Sequence, residues 1–237
     1  MDQTLTLKTL LEAGLHFGHH SRRWNPKMKP FIFGKRNGIF VIDLEKTLER
    51  LRIAYDVIRS VTESGGDVLF VGTKQQARPI VEEEAQRCDS CYVTDRWVGG
   101  LLTNFEVVSS RIVRLATIER QLADIGDTTN TKKEIVLLQR EHRRLARMFG
   151  GLRQMDRMPG ALFVIDPVRE ATAVAEARRT KIPVVALIDT NGDPDAVDFP
   201  IPGNDDALRS IRLVTGTIAN AVLDGRKQFD TEVKEEQ

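Results

Sequence analysis

Leu44, Leu48, Leu51, Tyr55, Ile58 and Val61 recur three or four residues apart, the spacing that gathers apolar side chains on one face of an α-helix. Asp43 stands before this series as an N-cap, and Gly65-Gly66 stops it. Upstream, Thr6 caps a short helix whose apolar face is Leu7, Leu10 and Leu11, ending near Gly14. FIF and IFVI flank GKRNG, which predicts two short strands around a tight turn. Downstream, DVLFVGT, CYV, ALFVID and IPVVALID are short apolar runs of the kind found in buried strands. They alternate with the helical stretches QQARPIVEEEAQRC and VREATAVAEARRT, and ALRSIRLVTGTIANAVLDG reads as a final helix. Strands of this type alternating with helices predict an α/β fold with a parallel sheet and helices on both faces.

The alternation breaks between Asn104 and Leu152. Val108, Leu115 and Leu122 fall seven apart, interleaved with Arg111, Ile118 and Ile125; then Ile135, Leu138, His142, Leu145, Phe149 and Leu152 step three and four apart. A polar stretch, GDTTNTKKE, separates the two series, and its TKKE is a capping box that restarts a helix at Thr131. Heptad spacing on both sides of a polar turn predicts an antiparallel coiled-coil hairpin inserted between sheet strands. Two ordinary helices lying on the sheet are the alternative, and the heptad stepping favours the hairpin. In that hairpin His142 holds a core position and tunes register. The expected division is an α/β body at 1–103 and 153–226, with a basic arm at 14–38, the hairpin at 104–152, and a flexible tail at 227–237.

No apolar run approaches the roughly 20 residues of a membrane span, and the first residues resemble neither a secretory signal nor an organelle-targeting peptide. No membrane partner and a cytoplasmic location are expected. Net charge is +1, yet the charge is segregated: residues 1–40 and 96–157 each carry +5, while residues 41–95 carry −4 and the remainder is acidic. Two basic regions in a near-neutral chain indicate a surface for a polyanion.

Three motifs invite an enzymatic reading. LFVGTKQQA puts Lys74 after a strand and before a helix, where anions often bind, but GxGxxG and the Walker pattern are both missing. DTNGDPDAVDFPIPGNDDA crowds six Asp residues, from Asp189 to Asp206, after a strand; the spacing does not fit an EF-hand, and Asn204 or Asp205 is better read as the cap of the last helix. Cys88 and Cys91 form a CxxC at a helix end rather than its start, so neither a redox site nor zinc is expected. A nucleotide- or metal-dependent enzyme using Lys74 and Asp189 therefore has support from the fold but none from a site. No cofactor and no catalytic residue are expected.

The stretch AGLHFGHHSRRWNPKMKPFIFGKRNG is different. It holds six Lys or Arg, three His, four other aromatic rings and no acid. Arg22, Arg23, Lys27, Lys29, Lys35 and Arg36 could neutralise phosphates, Trp24 could stack on a splayed base, and Pro26 and Pro30 stiffen the segment. Phe31 and Phe33 alternate like strand residues and are expected to pack. These are the requirements of folded RNA.

The same stretch, with LFVGTKQQA, DRWVGGLLTNF, FGGLRQM, PGALFVIDP and IPVVALIDTNGDPDAVDFPIPGNDDALRSIRL in that order, resembles the universal small-subunit ribosomal protein family two, bacterial type. The likeness covers all but about the last dozen residues. It implies a flavodoxin-like body with an inserted coiled coil and no catalytic activity. It also implies binding to small-subunit ribosomal RNA between head and body, beside neighbouring small-subunit proteins. A role in docking the OB-repeat mRNA-binding ribosomal protein is implied too, with the acidic surface near Asp205 and the hairpin as possible partner sites. Carried onto this chain, the RNA contacts are the arm residues above, Arg96 and Trp97, and Arg111, Arg114, Lys132, Lys133, Arg140, Arg143 and Arg144 of the hairpin, with Lys74 a further candidate. The cysteine pair is not a mark of that family.

Overall fold

The structure, a computed structural model, describes residues 5–124 and 132–235. Ile125 and Thr131, the ends of the two predicted hairpin helices, lie outside the described residues.

The chain opens with α1 (Leu7–Ala13), whose N-cap Thr6 accepts a hydrogen bond from the Thr9 N–H and whose C-cap Gly14 is left-handed. Only Leu10 of its expected apolar face is buried; Leu7 and Leu11 face outward. Three antiparallel strands follow: β1 (Phe17–His20), β2 (Ile32–Arg36) and β3 (Ile39–Ile42), in the order β1-β3-β2. Asn37 and Gly38, at φ 51° and 80°, make the β2–β3 turn, a conformation that asparagine and glycine adopt most readily. Phe31 packs inward with Met28 and Ile188, whereas Phe33 is 80% exposed, contrary to its expected packing. β2 is an edge strand with nothing covering its outer face at that position, so alternation alone did not reveal which side was solvent.

α2 (Leu44–Glu63) begins at Asp43, whose carboxylate accepts from the Glu45 N–H. Then come β4 (Val68–Val71), α3 (Arg78–Arg87), β5 (Cys91–Val93), α4 (Phe105–Ala123), α5 (Lys132–Phe149), β6 (Ala161–Ile165), α6 (Ala171–Thr180), β7 (Val184–Ile188), β8 (Phe199–Pro202) and α7 (Leu208–Glu235). β4 to β8 form one parallel sheet in the order β5-β4-β6-β7-β8, the flavodoxin-like arrangement. β8 had no sequence signal because FPIP carries two prolines. They are tolerated here because β8 is the sheet's last strand and has one unpaired edge.

Side-chain alternation along the strands divides the core into two layers. Phe70, Phe163, Val185, Leu187 and Ile201 face α2, α3 and α7. Leu69, Val71, Leu162, Val164 and Ala186 face α6 and share a cluster with Val108, Ile112, Leu115 and Ile118 of α4 and with Leu145 and Phe149 of α5. The buried stripe of α4 therefore runs through Ile112, while Arg111 one position earlier is exposed. Arg114 pairs with Glu141 at 2.8 Å and His142 Nε2 lies 3.2 Å from Glu119, so α4 and α5 lie against each other. His142 thus meets a carboxylate rather than an apolar seam.

α7 does not stop where a tail was expected. Residues 227–235 continue the helix; Arg59 donates to Gln228 Oε1 at 2.8 Å, and the Phe229 ring lies beside Gly65. Neither Asn204 nor Asp205 is the cap of α7. Asn204 accepts from the Asp206 and Ala207 N–H groups in the turn before it, and Asp205 points elsewhere.

Candidate nucleic-acid interface

The basic arm is a folded layer pinned to the acidic loops beyond β7 and before α7. The His19 N–H donates to the Thr190 hydroxyl at 2.9 Å, and the Asn25 N–H donates to the Thr190 carbonyl at 2.8 Å. Gly18 lies so close to Thr190 that a Cβ there would sit 2.6 Å from its methyl group, which makes glycine obligatory for this approach. His19 Nδ1 stands 2.9 Å from Asp189, and that hydrogen bond holds the imidazole pKa above its ordinary value against partial burial. The crowded Asp segment thus has a visible use as the anchorage of the arm.

Anchoring consumes one of the predicted RNA-binding cations. Lys27 Nζ lies 2.8 Å from Asp193 and 2.9 Å from Asp195, and these carboxylates raise its pKa. Trp24 is half-buried with its ring 4.8 Å from that of Phe40, so one face is already covered. By contrast Arg22, Arg23, Lys29, Lys35 and Arg36 are exposed, and no carboxylate pairs with them among the described residues. Arg22 and Arg23, with His19, His20, Ser21 and Gly38, line a cavity of about 730 Å³ on the arm's outer side.

Lys74 belongs to a different environment. It follows β4 at the carboxyl end of the sheet, where α/β proteins hold anionic ligands. Its Nζ is 2.7 Å from Asp205, 2.5 Å from Asp206 and 3.5 Å from Asp166, and the side chain is 13% exposed. A phosphate would have to displace three carboxylates to reach it. Burial alone would lower the Lys74 pKa, but the carboxylates outweigh it and raise it. Asp205 is pushed up to about 7 by burial and by the neighbouring Asp166 and Asp189, with Lys74 pulling the other way. His19, Asp189, Asp205 and Asp206 each bring one ligand-type atom within 4.8 Å of the others; Lys74 brings a positive charge to this cluster. Next to it, the Glu170 carboxylate accepts from both the N–H and the hydroxyl of Thr73, at 2.9 and 2.5 Å. The crevice is filled by the chain's own charges.

The second basic region lies on the opposite layer. Trp97 is only 7% exposed and its indole N–H donates to Glu176 at 3.1 Å, so it is a core residue and not a stacking platform. Glu176, on α6, also accepts from the N–H groups of Gly100, Leu102 and Thr103 and from the Thr103 hydroxyl. Burial pushes its carboxyl pKa up, but the bonds from Gly100, Trp97, Leu102 and Thr103 more than offset this and hold it below the ordinary value. This one carboxylate fixes the loop between β5 and α4, and with it the position of Arg96. Arg96, Arg111, Arg143 and Arg144 are exposed and carry no ion pair among the described residues; Arg114 is committed to Glu141. Lys132, Lys133 and Arg140 are exposed farther along α5.

Sequence reasoning missed Glu176, Glu170 and the pairing of His19 with Asp189. Each is a charged residue whose meaning comes from a partner tens of residues or more away, and no local spacing announces it. An apolar patch was missed as well: Leu7, Leu11, Val41 and Phe33 border a groove of about 480 Å³ between α1 and the small sheet. Among the described residues no helix is long and apolar enough to cross a membrane.

The family model described as Ribosomal protein S2 matches residues 10–225. The chain is also similar to the Small ribosomal subunit protein uS2 of Geotalea uraniireducens (strain Rf4), with 51% identity over 234 residues, covering 96% of this chain and 91% of that protein.

Proposed function

The chain belongs to the ribosomal protein S2 family, a family of ribosomal structural proteins and not of enzymes, and we propose that it grips small-subunit ribosomal RNA with two separate cationic surfaces. One is the outer side of the arm, carrying Arg22, Arg23, Lys29, Lys35 and Arg36. The other is the α4–α5 pair with the loop before it, carrying Arg96, Arg111, Arg143 and Arg144, with Lys132, Lys133 and Arg140 farther out. The observation that carries this reading is selective neutralisation. Lys27, Lys74 and Arg114 are paired with carboxylates, while these cations are held at the surface without a partner among the described residues. Unpaired cations on a rigid layer gain from releasing counterions when phosphates replace water.

In this reading α4 and α5 form an antiparallel coiled-coil hairpin reaching away from the sheet, and the two surfaces hold RNA elements of head and body in fixed relation, on ribosomes of the cytoplasm. Support comes from the division of α5: Leu145 and Phe149 are buried near its base, while Ile135 and Leu138 are only partly covered. The exposed groove of Leu7, Leu11 and Phe33 supports docking of the OB-repeat mRNA-binding protein, since apolar side chains left uncovered on a small face mark partner sites.

Sucrose-gradient sedimentation tests the RNA grip. The full chain should travel with small subunits lacking it and be stripped by rising salt. Arg22→Gln, Arg23→Gln and Lys29→Gln together should release it at lower salt with an unchanged thermal melt. Equal salt resistance of that triple variant and the parent would refute the arm's role.

A further inference from the structure

Between the β5–α4 loop and the last turns of α5 lies a concavity of about 710 Å³, joined through Val98, Gly99, Arg144 and Met148 to a second of about 310 Å³ at the start of α4. Arg96, Arg143 and Arg144 border the first and Arg111 the second, none with a carboxylate at ion-pair distance among the described residues; Glu141 attracts Arg111 and Arg144 only from farther away. Arg147 differs because Asp95 holds it at 2.9 Å. The interior is not cationic. Val98 and Met148 remain partly uncovered, and beside them a Cβ on Gly99 would meet nothing within 4 Å.

We infer that this groove holds an unpaired nucleotide turned out of the ribosomal RNA, its base on the Val98–Met148 floor and its flanking phosphates on Arg96, Arg111, Arg143 and Arg144. The inference rests on the RNA reading above and specifies what this surface takes. A helical backbone presents a convex ridge of phosphates and calls for cations on an open face, as on the arm. A recess with an apolar floor and an arginine rim gives a splayed base an apolar seat and guanidinium planes to stack on, while the same arginines fork to phosphate. The floor is also rigid: the Glu176 hydrogen bonds to Trp97, Gly100, Leu102 and Thr103 fix the loop that forms it, so little ordering cost remains when a base enters.

Base-specific chemical probing of small subunits reconstituted with the full chain decides the matter. The parent protein should protect one or two unpaired bases from dimethyl sulfate or carbodiimide at their pairing edges. The combined variant Arg96→Gln, Arg111→Gln, Arg143→Gln, Arg144→Gln should stay bound through the arm, lose that protection at least tenfold, and lower the salt slope of binding by about 3, as expected for four single-strand phosphate contacts. Met148→Lys adds a cation but puts a hydrated charge where the apolar floor was, and it too should lose the base protection. If circular dichroism shows that Met148→Lys does not fold, the arginine variant alone decides. Protection confined to helical sugar–phosphate backbone, with Met148→Lys binding as well as the parent, would overturn the inference in favour of duplex contact. Unchanged base reactivity with normal sedimentation would overturn it outright while leaving the RNA reading standing. Failure of the parent chain to sediment with subunits would overturn both.

Discussion

Lys74 and Arg96 occupy equivalent places on neighbouring strands. Val71 of β4 pairs in register with Val93 of β5, and each cation lies three residues beyond. One is enclosed by Asp166, Asp205 and Asp206; the other stands in solvent with no carboxylate partner among the described residues. The difference is what lies above each strand end. Beyond β4, the loops from β6 and β8 bring carboxylates inward. Beyond β5, Glu176 spends its charge on backbone N–H groups and leaves the arginine unopposed. A cation at a strand end therefore says nothing about ligands until its surroundings are known.

The comparison breaks most easily through stability. Lys74→Met should cost about 3–5 kcal/mol in urea unfolding at neutral pH, because it strands buried carboxylates. Arg96→Met should stay within about 0.5 kcal/mol. Equal losses would mean that the two cations are alike. Glu176→Ala should cost about 3 kcal/mol by orphaning several buried donors, and it should weaken RNA binding through Arg96 without touching RNA itself. Normal RNA binding by a folded Glu176→Ala chain would show that the loop needs no such anchor.

A smaller effect comes from protons. Asp205 has its folded pKa raised to about 7, so the folded chain holds that proton more tightly than the unfolded one. Its contribution is complete below about pH 4 and disappears as pH rises through 7. His19, also raised, acts in the same direction above its ordinary value. Stability should fall by about 2 kcal/mol from about pH 5 to about pH 8, and Asp205→Asn should flatten the fall. An undiminished slope in that variant would place the titration elsewhere.

Within the arm the same contrast recurs on a smaller scale. Arg22→Gln should reduce the salt slope of subunit binding by about 1, whereas Lys27→Gln, already paired with Asp193 and Asp195, should leave it nearly unchanged. The smallest effect on stability belongs to Phe33→Ser. The exposed ring contributes almost nothing to folding, within about 0.5 kcal/mol, yet its loss should weaken capture of the OB-repeat protein by loaded subunits. Undiminished capture would detach that role from this groove.

Local patterns carried much of this protein. Apolar periodicity placed α2, α3, α6, α7 and four of the five parallel strands, because a helix face or buried strand must repeat its apolar positions at a fixed interval whatever surrounds it. Charge segregation and the run from Ala13 to Gly38 marked the basic arm for the same reason: like charges gathered in sequence remain near one another in space. Only the tertiary structure decided which cations are available. Lys27 and Lys74 are met by carboxylates about ninety residues or more away, Trp97 is turned inward by Glu176, and Phe33 is left outside by the absence of a covering layer. β8 was settled by its place at a sheet edge, where its prolines leave no ladder partner unsatisfied. Burial and pairing are properties of assembled neighbours, and a linear pattern contains the residues but not their meeting.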